Sequence, residues 1–181
     1  MSAKYELNKD DTILVVIDVQ EKLMKAMSQS EKVYKNTNLL LTAAKTMNIP
    51  VIITEQYPRG LGSTVDEIKD NLPEHNYIEK VKFSAFEGLQ EFLDGSRKTV
   101  LITGSETHIC VYQTTRDLVK AGYNVHVVKD AVCSRFKENH QSGLQLMKDV
   151  GAVITNTETI LFDLLKEAGG PAFKVISPLL K

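Results

Sequence analysis

With 181 residues and a formal charge of -1 from 22 basic and 23 acidic side chains, the chain is long enough to bury roughly 70% of its unfolded surface in one domain without disulfide staples. Charges of both signs are well mixed, which argues against a nucleic acid or an anionic membrane surface as partner. No apolar run reaches the ~18 residues of a membrane span, and the residues after Met1 lack the apolar core of a secretory signal. Cys110 and Cys133 could pair. Each falls in or just after a βα element, so a reducing, cytoplasmic compartment is the simpler expectation, with organellar import left open.

Residues 1–11 are polar and read as lightly docked. Thr12 to Ile17 (TILVVI) is an unbroken β-branched and apolar run, the pattern of a central parallel strand buried on both faces, and it ends at Asp18. Residues 21–31 form a short helix or lid. Val33 to Met47 is helical, with Val33, Leu40, Leu41 and Ala44 on one side and Asn48 closing it. Pro50 opens a second strand that runs to Thr54. Glu55 to Ser63 (EQYPRGLGS) reads as loop, and a helix from about Thr64 stops before Pro73.

Tyr77 to Glu79 is a short third strand ending at Lys80. Phe83 to Phe86 leads into a helix that runs to Leu93 and is broken by Gly95. Val100 to Thr103 is a buried fourth strand, Gly104 marks a turn, and a helix from Thr107 buries Val111, Leu118 and Val119 before Gly122. Tyr123 to Val128 is the fifth strand, followed by a loop from Asp130 to Arg135. His140 to Val150 is helical, Ala152 to Thr155 is the sixth strand, and Glu158 to Ala168 is a last helix. Gly169, Gly170 and Pro171 end it, and Phe173 to Leu180 forms a docking tail.

Six strands alternating with helices predict a three-layer αβα sandwich around a parallel sheet with right-handed crossovers. The common doubly wound order, 3-2-1-4-5-6, puts the first and fourth strands side by side, with a crevice at their carboxyl ends. Asp18 and the corner bearing Cys110 flank that crevice, and Lys80 ends another strand at the same edge. Cys110 falls in the first turns of its helix, where free N–H groups and the dipole favour a thiolate. A carboxylate within ~3 Å can take its proton, and an ammonium nearby favours the charged sulfur. Taken singly, the three have plainer uses: a strand-end Asp caps a helix, a helix-start Cys packs, and a strand-end Lys is solvated.

The segments ILVVIDVQEKL, TEQYP, EKVKFSAF and LITGSETHICVYQTTRDLVKAGYNVHVVKDAVCSR resemble the isochorismatase-like cysteine hydrolase superfamily, which includes nicotinamidases and N-carbamoyl amidases. The resemblance spans roughly residues 10–170, with three motifs in the right order. It implies a single isochorismatase-like hydrolase domain over residues 1–181, of the Rossmann-like, six-stranded kind described above. It also implies that Asp18, in D-x-Q with Gln20, is the base and acid. Lys80, ahead of Ser84, Ala85 and Phe86, is the thiolate stabiliser. Cys110, in the run from Gly104 through Thr107, is the nucleophile. A cis peptide joining Ser105 to Glu106 would bring the Glu106 and Cys110 N–H groups together as an oxyanion hole.

The activity so implied is hydrolysis of a small amide, ureido or imide-like compound through a thioester, with a small-molecule substrate, no cofactor and a homo-oligomeric assembly of two copies or more. The chain departs from the metal-dependent nicotinamidases. It has Glu55 to Pro58 where those carry further histidines, and His75, His108, His126 and His140 have no metal-ligand spacing, so no metal is expected. Retention of Cys110 favours amide chemistry over vinyl ether hydrolysis.

Gln20, Gln56, Tyr57, Phe83 and His108 are the expected substrate pocket, although Gln20 also suits a backbone brace, His108 a surface position and Phe86 core packing. Arg59 with Gly60 and Gly62 reads as a lid, a subunit contact or a contact for a substrate carboxylate. His126 is a near-core histidine, and Cys133 is not expected to react. No Rossmann or Walker fingerprint is present. The rival readings are a catalytically silent, non-enzymatic interaction protein that keeps the fold, and a thiol-redox protein. The second of these lacks a CxxC pair.

Overall fold

The computed structural model describes residues 4–180. Its six strands are β1 (Thr12–Ile17), β2 (Val51–Gln56), β3 (His75–Lys80), β4 (Thr99–Ser105), β5 (Asn124–Cys133) and β6 (Val153–Thr155). All neighbouring pairs are parallel, and the order is β3-β2-β1-β4-β5-β6. The expected order therefore stands. The side-chain alternation of β1 feeds two separate cores. Leu14 and Val16 join Val51, Ile53 and Leu101 on one face; Ile13, Val15 and Ile17 join Ile52, Val100 and Ile102 on the other.

The helices in chain order are α1 (Glu21–Ala26), α2 (Ser30–Met47), α3 (Pro58–Leu61), α4 (Asp66–Lys69), α5 (Phe86–Leu89), α6 (Tyr112–Lys120), α7 (Lys137–Asp149), α8 (Thr157–Leu165) and α9 (Pro171–Ile176). The first face is covered by α2 and α8, with Leu40, Leu41, Ala44, Ile160 and Leu161 buried against it. The second is covered from α5, α6 and α7, through Leu89, Leu118 and Met147. Asn48 ends α2 in the left-handed conformation, φ 56°. The C-terminal segment docks on α2 as α9 followed by a 3-10 turn, Ser177–Leu180, in the position expected of the tail. Among the described residues no helix is long and apolar enough to cross a membrane.

Strands run further than their apolar runs suggest. β2 continues through Glu55 and Gln56, which were expected in a loop, because these pair with Glu79 and Lys80 of β3. β5 continues to Cys133, across most of the loop expected at 130–135, because Val132 and Cys133 pair with Gly104 and Ser105. Gly104 is not a turn. It lies inside β4 at φ +119°, and a Cβ there would stand 1.9 Å from the Ile17 carbonyl oxygen. Only glycine lets β4 lie this close to β1 where the two strands end. The helices around Thr64 and Phe86 are single turns, shorter than expected.

Candidate active site

The carboxyl ends of β1, β2, β3 and β4 meet at one edge of the sheet, and each brings a polar side chain there. Asp18 follows β1 directly, in the left-handed region at φ 49°. Its backbone is held from both sides: its N–H donates to the Thr54 carbonyl at 3.1 Å, and its carbonyl accepts from the Ser105 hydroxyl at 2.9 Å. The side chain is fully buried. Oδ1 accepts from the Thr54 hydroxyl at 2.6 Å and Oδ2 from Lys80 Nζ at 2.7 Å. Burial of an ionised carboxylate is tolerable only with partners of this kind.

Lys80, the last residue of β3, is also buried. Besides Asp18 its ammonium donates to Gln56 Oε1 at 2.7 Å, the Phe83 carbonyl at 3.0 Å and, at 3.3 Å, the Lys82 carbonyl. The Ser105–Glu106 peptide is cis. After it the chain does not enter an α-helix directly: Thr107–Val111 is a π turn that leads into α6. Cys110 sits in that turn, buried in the core beneath α6. Among the described residues the Glu106 N–H has no acceptor, and the Cys110 N–H has none outside its own π turn.

The π turn is clamped by α7. The Thr107 hydroxyl meets His140 Nδ1 at 2.9 Å, and a Cβ at Gly143 would lie 2.9 Å from the His108 backbone. The Asp18 and Lys80 charges act on the Cys110 thiol in opposite senses. Burial pushes the thiol up to about 12, the Asp18 carboxylate adds to that, and the Lys80 ammonium opposes it. This direction is opposite to the thiolate stabilisation expected of a helix start, and desolvation of the buried turn is its largest cause.

Three ionisable groups brought from positions far apart in sequence thus converge at one sheet edge. The isochorismatase domain profile matches residues 12–159, which hold all three. The chain belongs to the isochorismatase family. Within that family it is 43% identical over 177 residues to the secreted isochorismatase effector Isc1 of Phytophthora sojae, covering 94% of this chain and 84% of that protein. Among solved structures, the MAR1 ribonuclease from Caenorhabditis elegans superposes with a TM-score of 0.92 at 36% identity, covering 97% of this chain and 92% of that one. The YcaC gene product of Escherichia coli, described as an octameric hydrolase of unknown specificity, gives 0.84 at 25% identity over 90% and 83% of the two chains. Membership makes this chain an isochorismatase-family hydrolase.

The other residues expected at this isochorismatase-family site divide into two groups. Tyr57 and Phe83 are each 53% exposed, and His108 is half-buried with Nδ1 3.0 Å from the Ser134 hydroxyl. Gln20 instead faces inward, fully buried, and its amide is consumed by backbone groups: Oε1 accepts from Gln56 N at 2.7 Å, and Nε2 donates to the Gln56 and Gly62 carbonyls at 3.0 and 2.7 Å. That is the bracing role. Phe86 packs against the core. His126 is buried with its ring nitrogen 2.9 Å from the Lys4 carbonyl, and Cys133 is a second buried free thiol.

Thr54, Gln56 as a lysine acceptor, and His140 behind Thr107 were not singled out for these contacts. Thr54 ends the second apolar run, in register with Ile17 and one residue short of the place of Asp18. A polar hydroxyl closing an apolar strand was the signal available for it.

Proposed function

We propose that this protein hydrolyses a small amide-type C–N bond, in an amide, ureido or imide-like compound, through a thioester on Cys110. The observation that carries the reading is the buried Asp18–Lys80 ion pair at 2.7 Å, whose two charges act on the buried Cys110 thiol in opposite senses. A protonated thiol beside an ionised carboxylate is the resting form of a general-base pair. As Sγ attacks the carbonyl carbon, its proton passes to Asp18, and the new negative charge moves onto the substrate oxygen. The Glu106 and Cys110 N–H groups, with no acceptor outside the π turn, receive that oxyanion.

Asp18 then gives the proton to the leaving nitrogen, the C–N bond breaks, and ammonia or an amine departs. Water attacks the thioester with Asp18 again taking a proton, which returns to sulfur as the acid leaves. Lys80 keeps its charge throughout and balances whichever neighbour is negative. Substrate enters over Tyr57, Phe83 and His108. Each step needs only groups already in the site, with no cofactor or metal.

We further read the protein as a homo-oligomer in a reducing compartment. The octameric state stated for the YcaC neighbour, the exposed Tyr57, Val81 and Phe83 and two unpaired cysteines support this. A second reading, phosphodiester cleavage, is favoured by the activity named for the nematode neighbour. Against it, Lys80 is committed to Asp18 and Gln56, and the mixed surface charge offers no phosphate track.

The test is ammonia release across a panel of small amides, ureido acids and imides, with a labelled RNA in parallel and Cys110→Ala as control. The hydrolase reading expects ammonia from at least one panel member and none with Cys110→Ala. RNA cleavage with no ammonia from any member would replace it with the second reading. Failure of both reactions would leave a catalytically silent interaction protein.

A further inference from the structure

Lys80 has two side-chain acceptors, and they differ in charge. Asp18 is the anionic one. Gln56 Oε1, equally close at 2.7 Å, is neutral, and its orientation is fixed by every contact around it. Its Nε2 donates to the Val81 carbonyl at 2.6 Å, so Oε1 must point to the ammonium. Its backbone is gripped at both N–H and carbonyl by Gln20, a side chain with no solvent exposure. The same Gln20 amide reaches the Gly62 carbonyl, which ties this arrangement to the segment following Tyr57.

We infer that Gln56 is a positioning residue for Lys80: it holds the ammonium against Asp18 and Cys110 without adding a second negative charge to the site. The inference rests on the thiol hydrolase reading above and deepens it. A carboxylate at this place would compete with Asp18 for the ammonium and weaken what Lys80 does for the sulfur. An apolar side chain would remove the acceptor at 2.7 Å and leave the ammonium to be drawn towards the Phe83 and Lys82 carbonyls that it already touches at 3.0 and 3.3 Å. Either change removes stabilisation from the Cys110 thiolate. The charged groups acting on that sulfur are Asp18 and Lys80, so its response reports on their arrangement.

The probe is iodoacetamide, with the labelling rates of Cys110 and Cys133 followed separately by peptide mass from pH 7 to 10. Cys133 is buried on the opposite core face and serves as an internal reporter of opening. In Gln56→Glu and Gln56→Met we expect Cys110 to label about three- to tenfold more slowly than wild type at each pH, the rate equivalent of a thiol raised by up to about one pKa unit. Cys133 should be unchanged. Lys80→Met should slow Cys110 further. Wild-type Cys110 rates in both Gln56 variants, with Lys80→Met slowed, overturn the positioning role and leave the hydrolase reading intact. Faster labelling of both cysteines in both variants also overturns it, because Gln56 would then be holding the fold. If Lys80→Met itself labels at the wild-type rate, the hydrolase reading fails first.

Discussion

Lys80 Nζ lies 2.7 Å from Asp18 Oδ2 with 6% and 0% of the two side chains exposed. The pair ties the end of an outer strand, β3, to the end of a central one, β1, across β2. An ion pair so enclosed gains little net stability over an apolar pair, but removal of one partner alone strands a charge.

Lys80→Met is therefore expected to lower stability by about 3–5 kcal/mol, and Asp18→Asn by a similar amount, whereas the double variant recovers most of the loss. Neither the singles nor the double should retain activity. Urea unfolding of the four proteins checks this. Additive losses in the double variant would mean that the two groups are not coupled.

Thr54→Val removes the hydroxyl that donates to Asp18 Oδ1 at 2.6 Å and keeps the shape of the side chain. A hydrogen bond to a charged acceptor is worth about 1.5–3 kcal/mol. The variant should lose about that much stability, and kcat should fall by roughly ten- to a hundredfold with little change in KM, since Thr54 is buried away from the rim. Steady-state kinetics on any amide that turns over measures the split.

Gly104→Ala places a methyl 1.9 Å from the Ile17 carbonyl oxygen, at a φ that side chains rarely adopt. Backbone cannot yield as a flexible side chain can, so the cost should exceed about 3 kcal/mol. Gly122→Ala has the same sign of φ but open space around it, and should cost only about 1 kcal/mol. Thermal unfolding of the two variants separates the clash from the conformational penalty.

Stability should fall as pH rises from about 9 towards 12. Burial, with neighbouring carboxylates, pushes both Cys110 and Cys133 up to about 12, whereas a thiol in the unfolded chain ionises near ~8.5. Between those limits the folded state binds more protons than the unfolded state, so each step up in pH favours unfolding, by at most ~1.4 kcal/mol per pH unit for each thiol. Tyr77, also raised to about 12 by burial and by Glu55, adds to the fall in the upper part of the window. Cys133→Ala should make the slope shallower between pH 9 and 10, as read from urea midpoints, whatever it does to stability at pH 7.

The strands and their order were legible because β1, β2 and β4 are buried on both faces and so carry unbroken apolar runs. What could not be read was where they stop. Glu55 and Gln56 look like loop residues because their side chains are polar, yet both are buried in a polar network and their backbones stay in the sheet. Gly104 reads as a turn for the same local reason, when the constraint on it comes from Ile17, far away in sequence. The places of Asp18, Lys80 and Cys110 at strand ends and at the start of the turn after β4 were legible from the runs and from motif resemblance. The upward push on the Cys110 thiol was not, because desolvation depends on what covers the turn, and residue spacing does not record that.

The most direct test of thiol-based catalysis is to quench the enzyme within a second of mixing with an aryl acetate and weigh the Cys110 peptide. The account predicts an acetyl thioester on Cys110 that forms and decays, is absent from Cys133, and forms far more slowly in Asp18→Asn. Full turnover of the ester with no adduct on Cys110, or an equal rate of acetylation in Asp18→Asn, would contradict it.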